Sequence, residues 1–196
     1  MPDEVTARDT GSTFTAHDEG QFAAVCVDTI DLGSRVEQYP GQPARIMDKC
    51  ALVFVTDTEG ETKEIAREFS VSMGEKANLR AFLEAWRGKS YTDDQAKAGV
   101  PLHKLVGHGA LLSVEHKTSG KGRTYGNIKA VAPLPKQMHA PSAAKYERPE
   151  YWAKRVEQYA AEAMAWAEAQ NKVAGGSANA EDFPDPVTDD DSDLPF

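Results

Sequence analysis

One short stretch constrains the fold more than any other. In "EKANLRAFLEAWRGK", residues 75–89, Leu79, Phe82, Leu83 and Trp86 fall at i, i+3, i+4 and i+7. That is one face of an amphipathic helix, and Gly88 is a suitable stop. The surrounding sequence has the opposite character. Three stretches rich in β-formers precede the helix: "QFAAVCVDTIDL", "KCALVFVTDT" and "KEIAREFSVSM". Two more follow it: "ALLSVEHKT" and "YGNIKAVAPL". Gly33, Pro40, Gly41 and Pro43 mark a loop after the first strand, and "EGET" with Gly60 reads as a tight hairpin turn between the second and third. Residues 89–109 read as loop with a short turn of helix. Pro133 and Pro135 close the last strand, because proline cannot donate into a ladder.

The order is therefore three strands, a helix and two strands. A mainly β chain with that order is expected to form a five-stranded OB-like Greek-key barrel with a helix between strands 3 and 4. Other small β-barrels and some α+β sheets share the order. The expected organisation is a flexible arm over 1–19, an OB-like domain over 20–138 and a linker over 139–148. A C-terminal helix over 149–172 follows, then a disordered linker and acidic tail over 173–196. In the helix, Pro149 suits the first turn. Trp152, Val156, Tyr159, Ala163 and Trp166 form one apolar stripe, expected to pack against the barrel or to join two copies in a homodimer.

Composition sets the compartment. No apolar run approaches the ~20 residues that cross a bilayer, and "MPDEVTARDTGST" lacks the basic start and apolar core of a secretory signal. Cys26 and Cys50 are too few for a disulfide framework and sit in apolar runs, as reduced core residues do. A cytosolic protein without membrane contact is expected.

The net charge of −9 conceals a segregation. Residues 1–20 carry −4 and residues 181–196 carry −7, whereas the body between 20 and 139 carries +2. Within that body, residues 101–136 hold six bases against Glu115 alone. A basic body between acidic ends can meet a polyanion that the average charge would repel.

Patterns of catalysis are not met. "RGKS" lacks the upstream glycine of a phosphate loop, since Leu83 stands there. "SGKGRTYG" lies between two strands, with no helix N-terminus to hold a phosphate. The five histidines show no zinc spacing. A non-enzymatic protein with no metal and no cofactor is expected. The informative stretch is "EHKTSGKGRTYGNIK", where Lys117, Lys121, Arg123 and Lys129 surround Tyr125 in the hairpin between strands 4 and 5. Cations at such a tip can follow a phosphate backbone, and a tyrosine beside them can stack a base. Arg35, Tyr39 and Arg45 in the first loop, and Lys49 at the start of the second strand, complete the expected DNA-binding set. Phe54 and Phe69 are expected to pack in the core.

The chain ends "TDDDSDLPF". With the barrel, the basic hairpin and the linker "AGGSANA", this ending resembles single-stranded DNA-binding proteins of bacteria and their phages. The bacterial family ends in aspartates followed by an Ile-Pro-Phe or Leu-Pro-Phe tip, matched here by Asp189, Asp190, Asp191, Asp193, Leu194, Pro195 and Phe196. The body lacks the N-terminal strand of the bacterial housekeeping protein and looks like a phage-encoded OB protein. The resemblance implies non-specific binding of single-stranded DNA in replication, recombination or repair, in the cytoplasm of a bacterial host, with replication and recombination proteins recruited through the tip. A protein-interaction or inhibitor module, whose acidic ends mimic nucleic acid, is the competing reading.

Overall fold

The computed structural model describes residues 16–175 apart from 59 and 121. Residues 1–15 of the expected arm, Lys121 and the expected tail beyond 175 lie outside the described residues.

Five strands form one antiparallel sheet: β1 (Gly20–Glu37), β2 (Arg45–Thr58), β3 (Glu61–Ser70), β4 (Gly109–Thr118) and β5 (Thr124–Pro133). Their order across the sheet is β3-β2-β1-β4-β5. The long β1 serves two partners. Its first part pairs with β4, and from Ala24 onward it pairs with β2. The sheet is not closed by a β3–β5 ladder. One side chain spans the gap instead: Arg67 of β3 donates from Nη1 to the Ile128 carbonyl of β5 at 2.9 Å. The helix α1 (Asn78–Arg87) lies against β3 and β5 on the same side.

Both faces of the sheet are covered. On the first, Leu79, Phe82, Leu83 and Trp86 of α1 are buried against Cys26, Leu52, Phe54, Phe69, Leu112 and Ile128. These four are the residues that the helical spacing singled out. Gly88 ends α1 at φ +66°, a left-handed conformation in which glycine alone is unstrained. Phe54 and Phe69 are core residues as expected, and the two cysteines are free and buried. Burial pushes the Cys26 thiol up to about 12 and that of Cys50 up to about 11, so both stay protonated.

The second face carries the C-terminal helix, here α2 (Glu150–Gly175). Trp152 and Tyr159 lie on Val25, Val27, Ile30, Leu32, Ala51, Val53 and Val55. Trp152, Val156 and Tyr159 of the stripe thus pack on the chain's own sheet. The segment leading into α2 is fastened by Arg148, whose Nε and Nη2 each donate to the Asp28 carboxylate at 2.7 Å. Burial works to raise the Asp28 carboxyl, but Arg148, the Thr29 amide and Tyr146 outweigh it and hold it below the ordinary 3.8.

The first loop differs from expectation. Residues 33–37 and 45–48 read as loop, yet they continue the β1–β2 ladder from Gly33↔Lys49 to Glu37↔Arg45. Gly33, at φ +69°, does not stop the strand but sits at a bulge, its amide held by Asp31 Oδ1 at 2.9 Å. Arg35 and Arg45 are strand residues in consequence. Residues 89–109 hold a single helical turn over Asp93–Ala98 and a 3-10 turn over Leu102–Leu105. The end of the expected arm is pinned: His17 is buried, with Nε2 2.6 Å from Thr56 Oγ1. It crosses β5 at Gly126, where a Cβ would stand 2.8 Å from that of His17. No helix among the described residues is long and apolar enough to cross a membrane.

Candidate functional site

The helices cover the α1 face and the β1–β2 part of the other face, and leave the edge between β3 and β5 open. One recess lies at that edge and a second beside it, along β3 and the segment before α1. One, of about 570 Å³, is bounded by Arg35 of β1, Arg67 and Glu68 of β3, Tyr125 and Asn127 of β5, and Arg155, Gln158 and Tyr159 of α2. The other, of about 450 Å³, is bounded by Tyr39, Arg45, Lys49, Arg67, Glu68, Phe69 and Lys76. Arg67 and Glu68 line both, so the recesses adjoin along β3, and together they are termed the groove. Its walls carry Arg35, Arg45, Lys49, Arg67, Lys76 and Arg155 against Glu68 as the one acid among the described lining residues.

Local folding explains each placement. Ile65, Arg67 and Phe69 occupy alternate positions of β3, with Ile65 and Phe69 buried. Period two therefore points Arg67 inward too, where its guanidinium lies over the Phe69 and Phe82 rings at 5.2 and 5.5 Å. Burial lowers its pKa from the ordinary arginine value. Arg35 lies on the extension of β1 beyond the Gly33 bulge. Its guanidinium covers the Tyr159 ring at 4.7 Å and donates from Nη1 to the Tyr159 hydroxyl at 3.1 Å. Its buried Nε has no hydrogen-bond partner among the described residues. Tyr159 in turn donates to Glu68 at 2.8 Å, and Arg155 donates to the other Glu68 oxygen. Burial first, and then the Glu68 bond, raise the Tyr159 phenol, which stays neutral.

The cations are not equally available. Lys49 is buried, donates to Ser70 Oγ at 3.0 Å and pairs with Glu37. Burial works to raise the Glu37 carboxyl, but its hydrogen bonds from Lys49 and Tyr39 prevail and keep it low, so the carboxylate stays charged. Arg155 is engaged with Glu68. Arg45 and Lys76 have no ion pair among the described residues, and Arg45 leans on the Tyr39 ring at 5.7 Å. Tyr39 is 44 % exposed and Tyr125 38 %, so each ring keeps an accessible face.

Of the residues named from sequence, Arg35, Tyr39, Arg45, Lys49 and Tyr125 come together in this groove. Lys117 pairs in register with Tyr125, just outside it. Lys117 and Lys129 both turn to Glu115, at 3.6 and 3.4 Å. Arg123 is exposed in the hairpin turn, where its carbonyl accepts from the Ser119 amide at 2.8 Å. Sequence reasoning missed Arg67, Lys76, Arg155 and Gln158. Arg67 had a signal, a cation at an inward position of an alternating strand. The helix residues had none, because only docking of α2 brings them beside β3. An arrangement of cations, amides and half-exposed rings along an open groove can hold a chain of anionic groups that also bears flat aromatic units. No family model matches the sequence, and no curated protein matches it.

Proposed function

We propose that the protein binds and protects single-stranded DNA, without sequence specificity, during phage DNA replication or recombination in the cytoplasm of a bacterial host. The sheet is read as an OB-like barrel whose β3–β5 edge is left open as the binding groove. One observation carries this reading: the two recesses adjoining at Arg67 and Glu68 combine cations, of which Arg45 and Lys76 hold no ion pair among the described residues, with Tyr39 and Tyr125. Cations meet phosphates, and the exposed rings stack bases of any identity. A duplex keeps its bases paired and inside, so it cannot lay them on these rings. The body's excess of bases between acidic ends agrees with a polyanionic ligand. The segment "DDDSDLPF" is read as the part that recruits replication and recombination proteins, on its resemblance to the bacterial tip.

Titration of the whole protein with labelled oligo(dT) and with duplex DNA at two salt concentrations tests the reading. Tighter binding to oligo(dT), weakening as salt rises, is the expected outcome, because phosphate contacts release counterions. Equal affinity for both DNAs, or no binding at low salt, contradicts it.

A further inference from the structure

A third recess differs from the groove in chemistry. It measures about 360 Å³ and lies between the C-terminal half of α1, the segment before β4 and the end of β5. Leu83, Trp86, Leu105 and Leu134 give it apolar walls, and Arg87 and His108 stand with them. The Trp86 indole N–H already donates to the Gly109 carbonyl at 2.8 Å, so the ring offers only its apolar body. Gly109 and Leu134 close the floor, for a Cβ at 109 would come 2.8 Å from the Leu134 side chain. Arg87 is exposed, held over the Tyr91 ring at 4.3 Å. Exposed Lys89, Lys104 and Lys136 each lie within two residues of a lining side chain, as do the acids Glu84 and Asp93.

An apolar recess with Arg87 in its lining, and with more cations than acids close to it in sequence, suits a peptide that joins an apolar segment to a run of acids, and is ill suited to a phosphate chain. The sequence contains such a peptide. Residues 181–196 hold seven acids and no base, with Leu194, Pro195 and Phe196 behind the aspartates. The α2 helix ends at Gly175, and about twenty further residues reach up to ~70 Å when extended. We infer that the α1–β5 recess is a docking site for this chain's own segment 188–196, with Phe196 and Leu194 in the apolar recess and the aspartates against Arg87 and the three lysines. The site is separate from the β3–β5 groove and stands whether or not that groove takes DNA.

The test uses the full-length protein carrying Phe196→Ala, which disables its own segment, and a fluorescein-labelled peptide of residues 187–196. Saturable binding by anisotropy is expected, weakened at least tenfold when the peptide itself carries Phe196→Ala. Adding Leu105→Glu or Arg87→Glu to the protein should each weaken the parent peptide at least fivefold. Arg87 is exposed, so its variant keeps the test decisive if the Leu105 variant does not fold. Excess oligo(dT) should leave the peptide bound. No saturable binding, undiminished binding by Arg87→Glu, or displacement of the peptide by oligo(dT) would overturn the assignment.

Discussion

The two faces of the sheet are covered in different ways. On the α1 face, contact is made by rings and aliphatic groups: Phe54 meets Trp86 at 5.2 Å and Phe69 meets Phe82 at 4.9 Å between centroids. On the α2 face, Trp152 and Tyr159 supply the apolar contact, but a polar margin surrounds them. Arg148 binds Asp28, Tyr151 binds Glu64, and Arg155 and Tyr159 bind Glu68. The contacts of the first face hold the fold together. The second leaves charged and aromatic groups at its margin, and these become a wall of the groove. A helix packed by polar pairs can thus serve stability and binding at once.

The largest expected effect lies on the α1 face. Phe82→Ala removes a ring that touches Phe54, Phe69 and Trp86, and should cost roughly 3–5 kcal/mol of stability in denaturant unfolding. A loss under about 1 kcal/mol would show that α1 is not the keystone of this face. Next comes the groove. Arg45→Ala with Lys76→Ala removes two cations that hold no ion pair among the described residues. The melting temperature should stay within a degree or two, while affinity for oligo(dT) at low salt falls about tenfold. The slope of log affinity against log salt should shrink by about 1.4, the loss of two phosphate contacts on a single strand.

The smallest effect concerns the α2 margin. Asp28 is held in its charged form by Arg148, so its folded pKa lies below 3.8. The resulting stability is fully present above the ordinary pKa and is lost as pH falls through the folded value. Asp28→Asn should therefore cost about 1 kcal/mol at pH 7, no more than a solvent-facing pair provides. The difference from the parent should shrink and vanish in unfolding measurements as pH falls below 3.8 and through the folded value. A difference that persists there would assign the effect to packing instead of charge.

The α1 helix is legible in the sequence alone, because its four apolar positions at helical spacing are the four that the fold buries. The strands are legible in existence and order, for the same reason of periodicity. The β1–β2 extension is not. Gly33 serves a bulge as readily as a strand end, and only the cross-strand register tells the two apart. Arg35, Tyr39, Arg45 and Tyr125 stand out as cations and rings near turn residues, although the β1–β2 ladder runs further than those turn residues suggest. Arg155 and Tyr159 reach Glu68 from 87 and 91 residues away. No local pattern carries a contact of that range, so the groove's helical wall appears only once α2 is docked.

The central claim is that a single strand lies along the β3–β5 groove, with bases on Tyr39 and Tyr125. Photo-crosslinking of the protein to oligo(dT) containing 5-iodouracil, followed by mass spectrometry, tests it most directly. Cross-linked peptides should contain Tyr39 and Tyr125. Cross-links confined to Tyr151, Trp86 or Tyr91, with none at Tyr39 or Tyr125, would contradict the account.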